Sequence, residues 1–338
     1  MKKGLNFYIA LQGGYSPNEY IRYGKLIEDK GFDRLYVYDD LMFYPSFPIL
    51  NLIAANTSRI ELGPCLANGL YRHPALIASN AAFLDAVSNG RSVLGLGRGA
   101  FFDFLKMDTD EKFTRKAFKE TIMLTSHFLK KKEQAFKGEI FNTTKKAVLR
   151  VPSPSNPYII TATWNPKMAY LGGRYSDEVQ LAEVFTDTYL KTILKTFQKG
   201  IHDSKSKSKK HISIGGMVCV SDDTKKAIEK AKKTLAVYIP YLKTILKNNK
   251  VDVKSTLIRD IDLLSKRGNF LEASKLIPDD YVSMLTLTGT PTDVALKIKK
   301  LIKGKPIKGI LFSPPYSIYD TIDENVNYLS DKLLPKLK

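Results

Sequence analysis

Over the first hundred residues, short apolar runs alternate with amphipathic, helix-capped stretches, and this alternation leaves few folds open. Leu5–Ala10 reads as a strand. Ser16-Pro17-Asn18-Glu19 then supplies an N-cap, a proline in the first helical turn and a capping-box acid. The helix it opens carries Tyr20, Tyr23, Leu26 and Ile27 on one face and stops at Lys30-Gly31. Leu35–Tyr38 is a second strand, with a helix over Pro48–Asn56. Ile60–Leu66 is a third, with a helix from Pro74 to about Val87, and Ser92–Leu96 is a fourth. Strand–helix repetition with short connections demands a parallel sheet covered on both faces.

The rhythm persists beyond residue 100. A long helix is predicted over about Asp110–Lys132, strands over Tyr158–Ala162 and Val179–Glu183, and helices over Pro166–Tyr175 and Thr188–Lys199. A strand over His211–Val220 precedes a helix from Ser221-Asp222-Asp223 to about Lys247. Thr290-Pro291-Thr292-Asp293 caps a further helix, and Ile307–Ser313 is the eighth strand. Eight strand–helix units predict an α/β fold, a (β/α)8 TIM barrel, rather than a doubly wound sheet with a second domain. No Gly-, Pro- or Ser-rich linker divides the chain. The expectation is a single domain over 1–338 with a helical insertion at about 251–281.

Composition narrows the function. A hydrophobic fraction of 43% excludes disorder and collagen-like repetition. Two cysteines, Cys65 and Cys219, argue against a disulfide framework or a cysteine-based zinc site, and no metal is expected. The chain lacks an apolar run of about 18 residues, and its start, Met1–Asn6, lacks the core of a signal peptide. A cytoplasmic protein with no membrane partner is therefore expected. The 53 basic and 34 acidic residues leave a net charge of +19. Lysine runs such as Ser204–Lys210 carry much of that surplus without interleaved aromatics or a docking motif. Specific nucleic-acid binding is not expected, and a small-molecule substrate is.

In a parallel barrel the active site lies at the C-terminal strand ends. Those ends hold Gln12, Asp39-Asp40, Cys65–Asn68, Gly97–Ala100, Thr163-Trp164-Asn165, Glu183 and Ser313–Tyr316. His73, His127, His202 and His211 fall elsewhere and are expected at helix flanks or the surface, which leaves no home for a histidine-based triad. Strand alternation lets at most one of Asp39 and Asp40 face the mouth, the other serving a loop or helix cap. Gly95-Leu96-Gly97-Arg98-Gly99 lacks the full dinucleotide fingerprint, yet glycines at a strand end admit a flat ligand close to the backbone. Trp164 is placed either to stack on a ring or to plug the barrel.

Several segments together resemble the luciferase-like monooxygenase superfamily: Gly31-Phe32-Asp33, Leu62-Gly63-Pro64, Arg72–Leu76, Leu84–Arg91, Leu94–Gly99 and Gly289-Thr290-Pro291. The likeness is to its coenzyme F420-dependent branch, which includes 5,10-methylenetetrahydromethanopterin reductases and sugar-phosphate dehydrogenases. The resemblance implies a deazaflavin ring across the barrel mouth. Asp39 would bond the ring edge, Cys65-Leu66 would form a non-proline cis peptide behind it, and Gly97, Arg98, Gly99 and Asp103 would line it. Ala162, Thr163, Trp164 and Asn165 fall where the family binds the phosphate, with Ala182 and Glu183 beside them. Trp164 and Asn165 stand where relatives have glycines. Asn6, Ala100 and Asp40 replace residues that handle the substrate proton in relatives, and of these only Asp40 is ionisable, which makes it the catalytic candidate.

The expected activity is hydride transfer between the deazaflavin C5 and an organic substrate. The alternatives are an FMN-dependent monooxygenase using molecular oxygen, served by a separate flavin reductase, and a flavin-binding protein without turnover. The resemblance also implies a homodimer or homotetramer.

Overall fold

The Ser16 hydroxyl accepts the Glu19 amide while Glu19 accepts the Ser16 amide, so the first helix starts where its capping box places it. The computed structural model describes residues 4–69, 71–97, 111–206, 208–313 and 321–338. In chain order the elements are β1 (Asn6–Leu11), α1 (Pro17–Asp29), β2 (Arg34–Val37), α2 (Ser46–Ala54), β3 (Glu61–Pro64), α3 (Pro74–Val87) and β4 (Val93–Leu96). There follow α4 (Glu111–Leu129), β5 (Tyr158–Thr163), α5 (Pro166–Tyr175), β6 (Glu178–Ala182), α6 (Asp187–Ser204), β7 (His211–Val220) and α7 (Thr224–Tyr238). The remainder is α8 (Lys243–Asn248), α9 (Thr256–Lys266), α10 (Phe270–Leu276), α11 (Asp279–Leu285), β8 (Leu287–Gly289), α12 (Pro291–Ile302), β9 (Ile307–Ser313), α13 (Ile322–Tyr328) and α14 (Leu334–Leu337).

Eight strands pair in the order β3-β2-β1-β9-β7-β6-β5-β4, and every pairing is parallel. Bridges Leu62–Ser92 and Ala67–Leu96 join the two ends and close the barrel. Across this seam the Ala67 amide donates to the Gly95 carbonyl at 2.9 Å and the Gly97 amide to the Ala67 carbonyl at 3.2 Å. Glycine permits the closure: a Cβ on Gly63 would overlap the Val93 carbonyl, and one on Gly95 the Pro64 carbonyl.

The structure departs from the sequence reading in three places. Leu287–Gly289 is an additional strand that pairs only with Val218–Val220, the part of β7 that runs past the barrel; three residues are too few to show a period. The helix expected to reach Lys247 ends at Tyr238, interrupted by a 3-10 turn over Ile239–Tyr241, where Pro240 has no amide hydrogen to continue the ladder. The second helix begins at Ser46 rather than Pro48, because the Asp39 carboxylate accepts the Ser46 amide and hydroxyl.

Alternation divides each strand between two cores. Phe7, Ile9, Leu11, Leu35, Val37, Leu94 and Leu96 face the helices, in one continuous apolar layer. Tyr8, Ala10, Tyr36, Val93, Ile160 and Leu311 form a separate inner cluster. At the closed end of that inner core lies Arg34, 4% exposed. Its guanidinium stacks on the Tyr8 ring at 4.3 Å and donates to the Tyr36 hydroxyl at 2.9 Å. It also pairs with Glu178 at 3.2 Å and Glu61 at 2.7 Å. Glu178 is itself 4% exposed and meets the Ser213 hydroxyl. Removing one member of a buried ion pair strands the other. Arg34→Ala is therefore expected to lower the unfolding free energy by about 3–5 kcal/mol in urea titrations, with Glu178→Gln costing less; equal, near-zero effects would show that the cluster is not holding the barrel.

Candidate functional site

The C-terminal strand ends gather their inward-facing residues into one mouth. On β2 the alternation that points Arg34 and Tyr36 inward carries on through Tyr38 to Asp40, while Asp39 turns outward with Leu35 and Val37. The two adjacent acids therefore meet different surroundings. Asp39 is buried, pairs with Arg72 and holds the start of α2; the Tyr71 hydroxyl donates to its carbonyl at 2.8 Å. Asp40 accepts one side-chain hydrogen bond, from Gln12 Nε2 at 3.1 Å. Gln12 is fixed in turn by the Gly13 amide, which donates to its Oε1 at 2.9 Å. No cation pairs with Asp40 among the described residues, and burial pushes its carboxyl up to about 6, with the Gln12 bond opposing the shift.

Around Asp40 stand Cys65, Tyr38, Tyr71 and Tyr238. Burial, reinforced by the Asp40 charge, pushes the Cys65 thiol up to about 12, so it is a neutral lining group. The Tyr71 phenol is raised by burial and by the same charge. Tyr38 Oη donates to Ser313 Oγ at 2.8 Å, closing one side of the mouth between β2 and β9. Tyr238, half-buried on α7, is raised by burial and by the charges of Tyr38, Asp40 and Glu183. The Cys65–Leu66 peptide bond is cis. Beside it a Cβ on Gly97 would overlap the Leu66 side chain, so the end of β4 and Leu66 form one flush wall.

The opposite rim comes from β5 and β6, which pair Ala162 with Gln180 and Thr163 with Leu181. The Asn165 amide donates to Thr163 Oγ1 at 2.9 Å, and the Asn165 side chain caps α5 by accepting the Lys167 amide at 2.9 Å. Trp164 is half-buried against the outer core, and its carbonyl accepts the Tyr189 hydroxyl at 2.5 Å. Ala182 pairs with Gly215 on β7. Glu183 follows in a left-handed conformation (φ 55°) with 9% exposure. Its two oxygens share the Met217 amide at 3.2 and 3.1 Å, and burial pushes the carboxyl up to about 8, the Met217 bond opposing.

The structure thus brings Asp40, Cys65, Leu66 and Gly97 to one side of the mouth and Ala162–Asn165, Ala182 and Glu183 to the other. Arg98, Gly99, Ala100 and Asp103 lie outside the described residues. Asn6 is corrected. It opens β1 opposite Gly309 and bonds Tyr8 at the closed end, a full strand away from Gln12, and so cannot reach the mouth. His73 caps α3 through its ring nitrogen and His202 is exposed, but His127 is buried inside α4. Tyr238 was missed: it lies at the end of a helix, and nothing in its local pattern marks a mouth residue.

The Leu84–Arg91 segment has a structural task. Asp85 accepts Ser92 Oγ, Ser155 Oγ and the Ser155 amide at 2.7 Å each, and Ser153 Oγ at 3.0 Å. The Arg91 guanidinium donates to the carbonyls of Ser88, Ile60, Ala54 and Thr57. Together they anchor the α3–β4 turn at the closed end of the barrel.

A profile of the luciferase-like monooxygenase family matches residues 7–304. The 5,10-methylenetetrahydromethanopterin reductase of Methanopyrus kandleri is 25% identical over 352 residues, spanning 99% of this chain and 99% of the relative. The enzyme of the same name from Archaeoglobus fulgidus is 25% identical over 346 residues, spanning 100% of both. The solved coenzyme F420-dependent tetrahydromethanopterin reductase from Methanopyrus kandleri shares the fold, with a TM-score of 0.84 at 22% identity over 99% of this chain and 100% of that one.

The isolation of Asp40 has a measurable consequence. Its folded-state pKa of about 6 lies above the ordinary 3.8, so the folded protein keeps a proton the unfolded chain releases. Stability is therefore lost as pH rises from about 4 to 6, and the cost is complete above that window. Asp40→Asn is expected to gain about 1–3 kcal/mol relative to wild type between pH 4 and pH 7.5. A constant difference across that range in chemical denaturation would show that Asp40 titrates normally.

Proposed function

The chain belongs to the luciferase-like monooxygenase family, and from that premise we propose that it is a coenzyme F420-dependent oxidoreductase acting on a small organic substrate. When bound, the deazaflavin supplies hydride transfer at C5. The mouth suits such a ring: the flush wall of Gly97 and Leu66 offers a flat face without a projecting Cβ. In this reading Cys65, Leu66 and Gly97 hold the ring, with Arg98, Gly99 and Asp103 of the adjoining segment. Asp39 supports the mouth from the helix side, by holding Arg72 and the start of α2, and the rim of Ala162, Thr163, Trp164, Asn165, Ala182 and Glu183 holds the phosphate arm.

The observation that carries the reading is Asp40, an acid in the mouth held by Gln12 and without a paired cation among the described residues. A carbonyl or imine reduced at carbon must gain a proton on its oxygen or nitrogen. Asp40 in its acid form gives that proton, and in the oxidative direction its carboxylate takes it back. A pKa near 6 populates both forms near neutrality. Gln12 orients the carboxyl, and the raised Cys65, Tyr71 and Tyr238 stay neutral and compete for no proton. The end-to-end likeness to the reductase of Methanopyrus kandleri, solved as a coenzyme F420-dependent enzyme, favours F420 over FMN.

The reading includes a single domain over 1–338, a cytoplasmic location and a homodimer or homotetramer. Leu76 and Phe83, 54% and 59% exposed and two turns apart on α3, are apolar groups that a second copy would cover.

Fluorescence titration with oxidised F420 and, separately, with FMN tests the cofactor. Micromolar or tighter binding of F420 alone is expected; preference for FMN would point instead to oxygen chemistry, and binding of neither would leave only the fold in common with the family. With a turned-over substrate, Asp40→Asn is expected to lower kcat by about 10²–10⁴ and to remove the pH limb near 6, with F420 affinity unchanged. Unchanged kcat would remove Asp40 from the proton step.

A further inference from the structure

Among the described residues, Glu183 is a buried acid with few of the partners that buried acids require. Both oxygens lean on a single amide, that of Met217, and no cation among the described residues offsets the carboxyl. The space it fills exists because residue 216 is glycine, at φ 143°: a Cβ there would overlap the carboxyl group. Gly216 and Met217 present only backbone to it. The ionisable group coupled to it is Tyr238 of α7, on which Tyr38 and Asp40 of the segment after β2 and Tyr241 also act, none of them cationic. One shared N–H on two oxygens is a poor anion site, whereas a carboxylic acid needs one acceptor contact and has an O–H left to give. In the chain Glu183 follows Leu181 by two residues, and Leu181 is the partner of Thr163, the last residue of β5 before the rim of Trp164 and Asn165.

We infer that Glu183 carries a proton in the resting protein and donates its O–H to the anionic arm of the cofactor, so that cofactor binding weakens as the pH rises. This rests on the F420 reading above. An acid at an anion site is repulsive when ionised and attractive when protonated, so its ionisation and ligand release are linked. The group keeps its proton through neutrality, since burial lifts it to about 8.

The test is F420 affinity, measured by fluorescence at constant ionic strength from pH 6.5 to 9.5, in wild type and Glu183→Gln. Glutamine keeps the shape and donates an N–H at every pH. Wild-type affinity is expected to fall about tenfold per pH unit above pH 8, while Glu183→Gln keeps its affinity apart from any slope the cofactor itself imposes on both. Superposed profiles would overturn the inference and leave the F420 reading intact; no binding by wild type at any pH would overturn both. A readout on the unliganded wild type decides the matter if the variant does not fold. The infrared C=O band of a protonated carboxyl is expected at pH 7 and lost by pH 9.5, and a difference spectrum without that band overturns the proposal.

Discussion

The barrel closes around Arg34. Its guanidinium sits at the centre of the closed end, stacked on Tyr8 from β1, bonded to Tyr36 of its own strand, and paired with Glu61 of β3 and Glu178 of β6. β2 and β6 lie far apart along the sheet path, so the Arg34–Glu178 pair spans the barrel and not a neighbouring strand. A charge in that position is tolerable only because two carboxylates, a hydroxyl and a π-face replace its water. With Tyr8 and Tyr36 packed about it, the closed end is filled.

That packing also decides the identity of the mouth residues. Strand alternation is rigid once one residue is fixed: with Arg34 inward, Tyr36, Tyr38 and Asp40 follow inward, and Asp39 must face the helices. Asp39 becomes the anchor of α2 and of Arg72, and Asp40 is left in the mouth, where Gln12 is its hydrogen-bond donor among the described residues. A one-residue slip of β2 would exchange the two acids and expose Arg34 to the apolar outer layer, so the closed-end ion pairs protect the chemistry of the open end.

Much of the frame was legible. Capping boxes at Ser16 and Thr290 mark real helix starts, and apolar runs mark the barrel strands, because a strand buried on both faces needs them. The inner core was less legible. Arg34 at a strand start reads as a polar boundary, and only closure of the sheet shows that it points inward. Gly95 reads as room for a ligand, whereas the structure spends it, with Gly63, on the seam between β3 and β4. In the mouth, the Asp39-Asp40 pair was visible and the period-2 rule limited it to one inward acid. Which acid that was depended on register, a tertiary quantity. Tyr238 and the confinement of Glu183 depend on contacts between elements distant in sequence and leave no local trace.

Apart from Asp39 and Glu178, which pair with arginines, two kinds of buried or half-buried acid stand out among the described residues, and the contrast separates scaffold from site. Asp85 collects four donors, Glu120 the amides of Glu139, Ile140 and Phe141, and Glu28 those of Ser58, Arg59 and Ile60. Three such donors hold Glu28 and Glu120 below the usual carboxylate range against the burial that opposes it. Among the described residues Asp40 and Glu183 have one donor residue each, and both are raised. A scaffold acid is stabilised by ending the chain's unsatisfied N–H groups, and it loses nothing by being permanently charged. An acid left short of donors at the mouth lowers the stability of the fold whenever it ionises. Its retention there makes sense where a proton must be held and given up, or where a ligand completes its hydrogen bonding. The charges of both act on Tyr238, and their pKa values are set apart, so that between about pH 6 and 8 one is charged while the other is not. One opening thus offers both a base and an acid in a single range of pH.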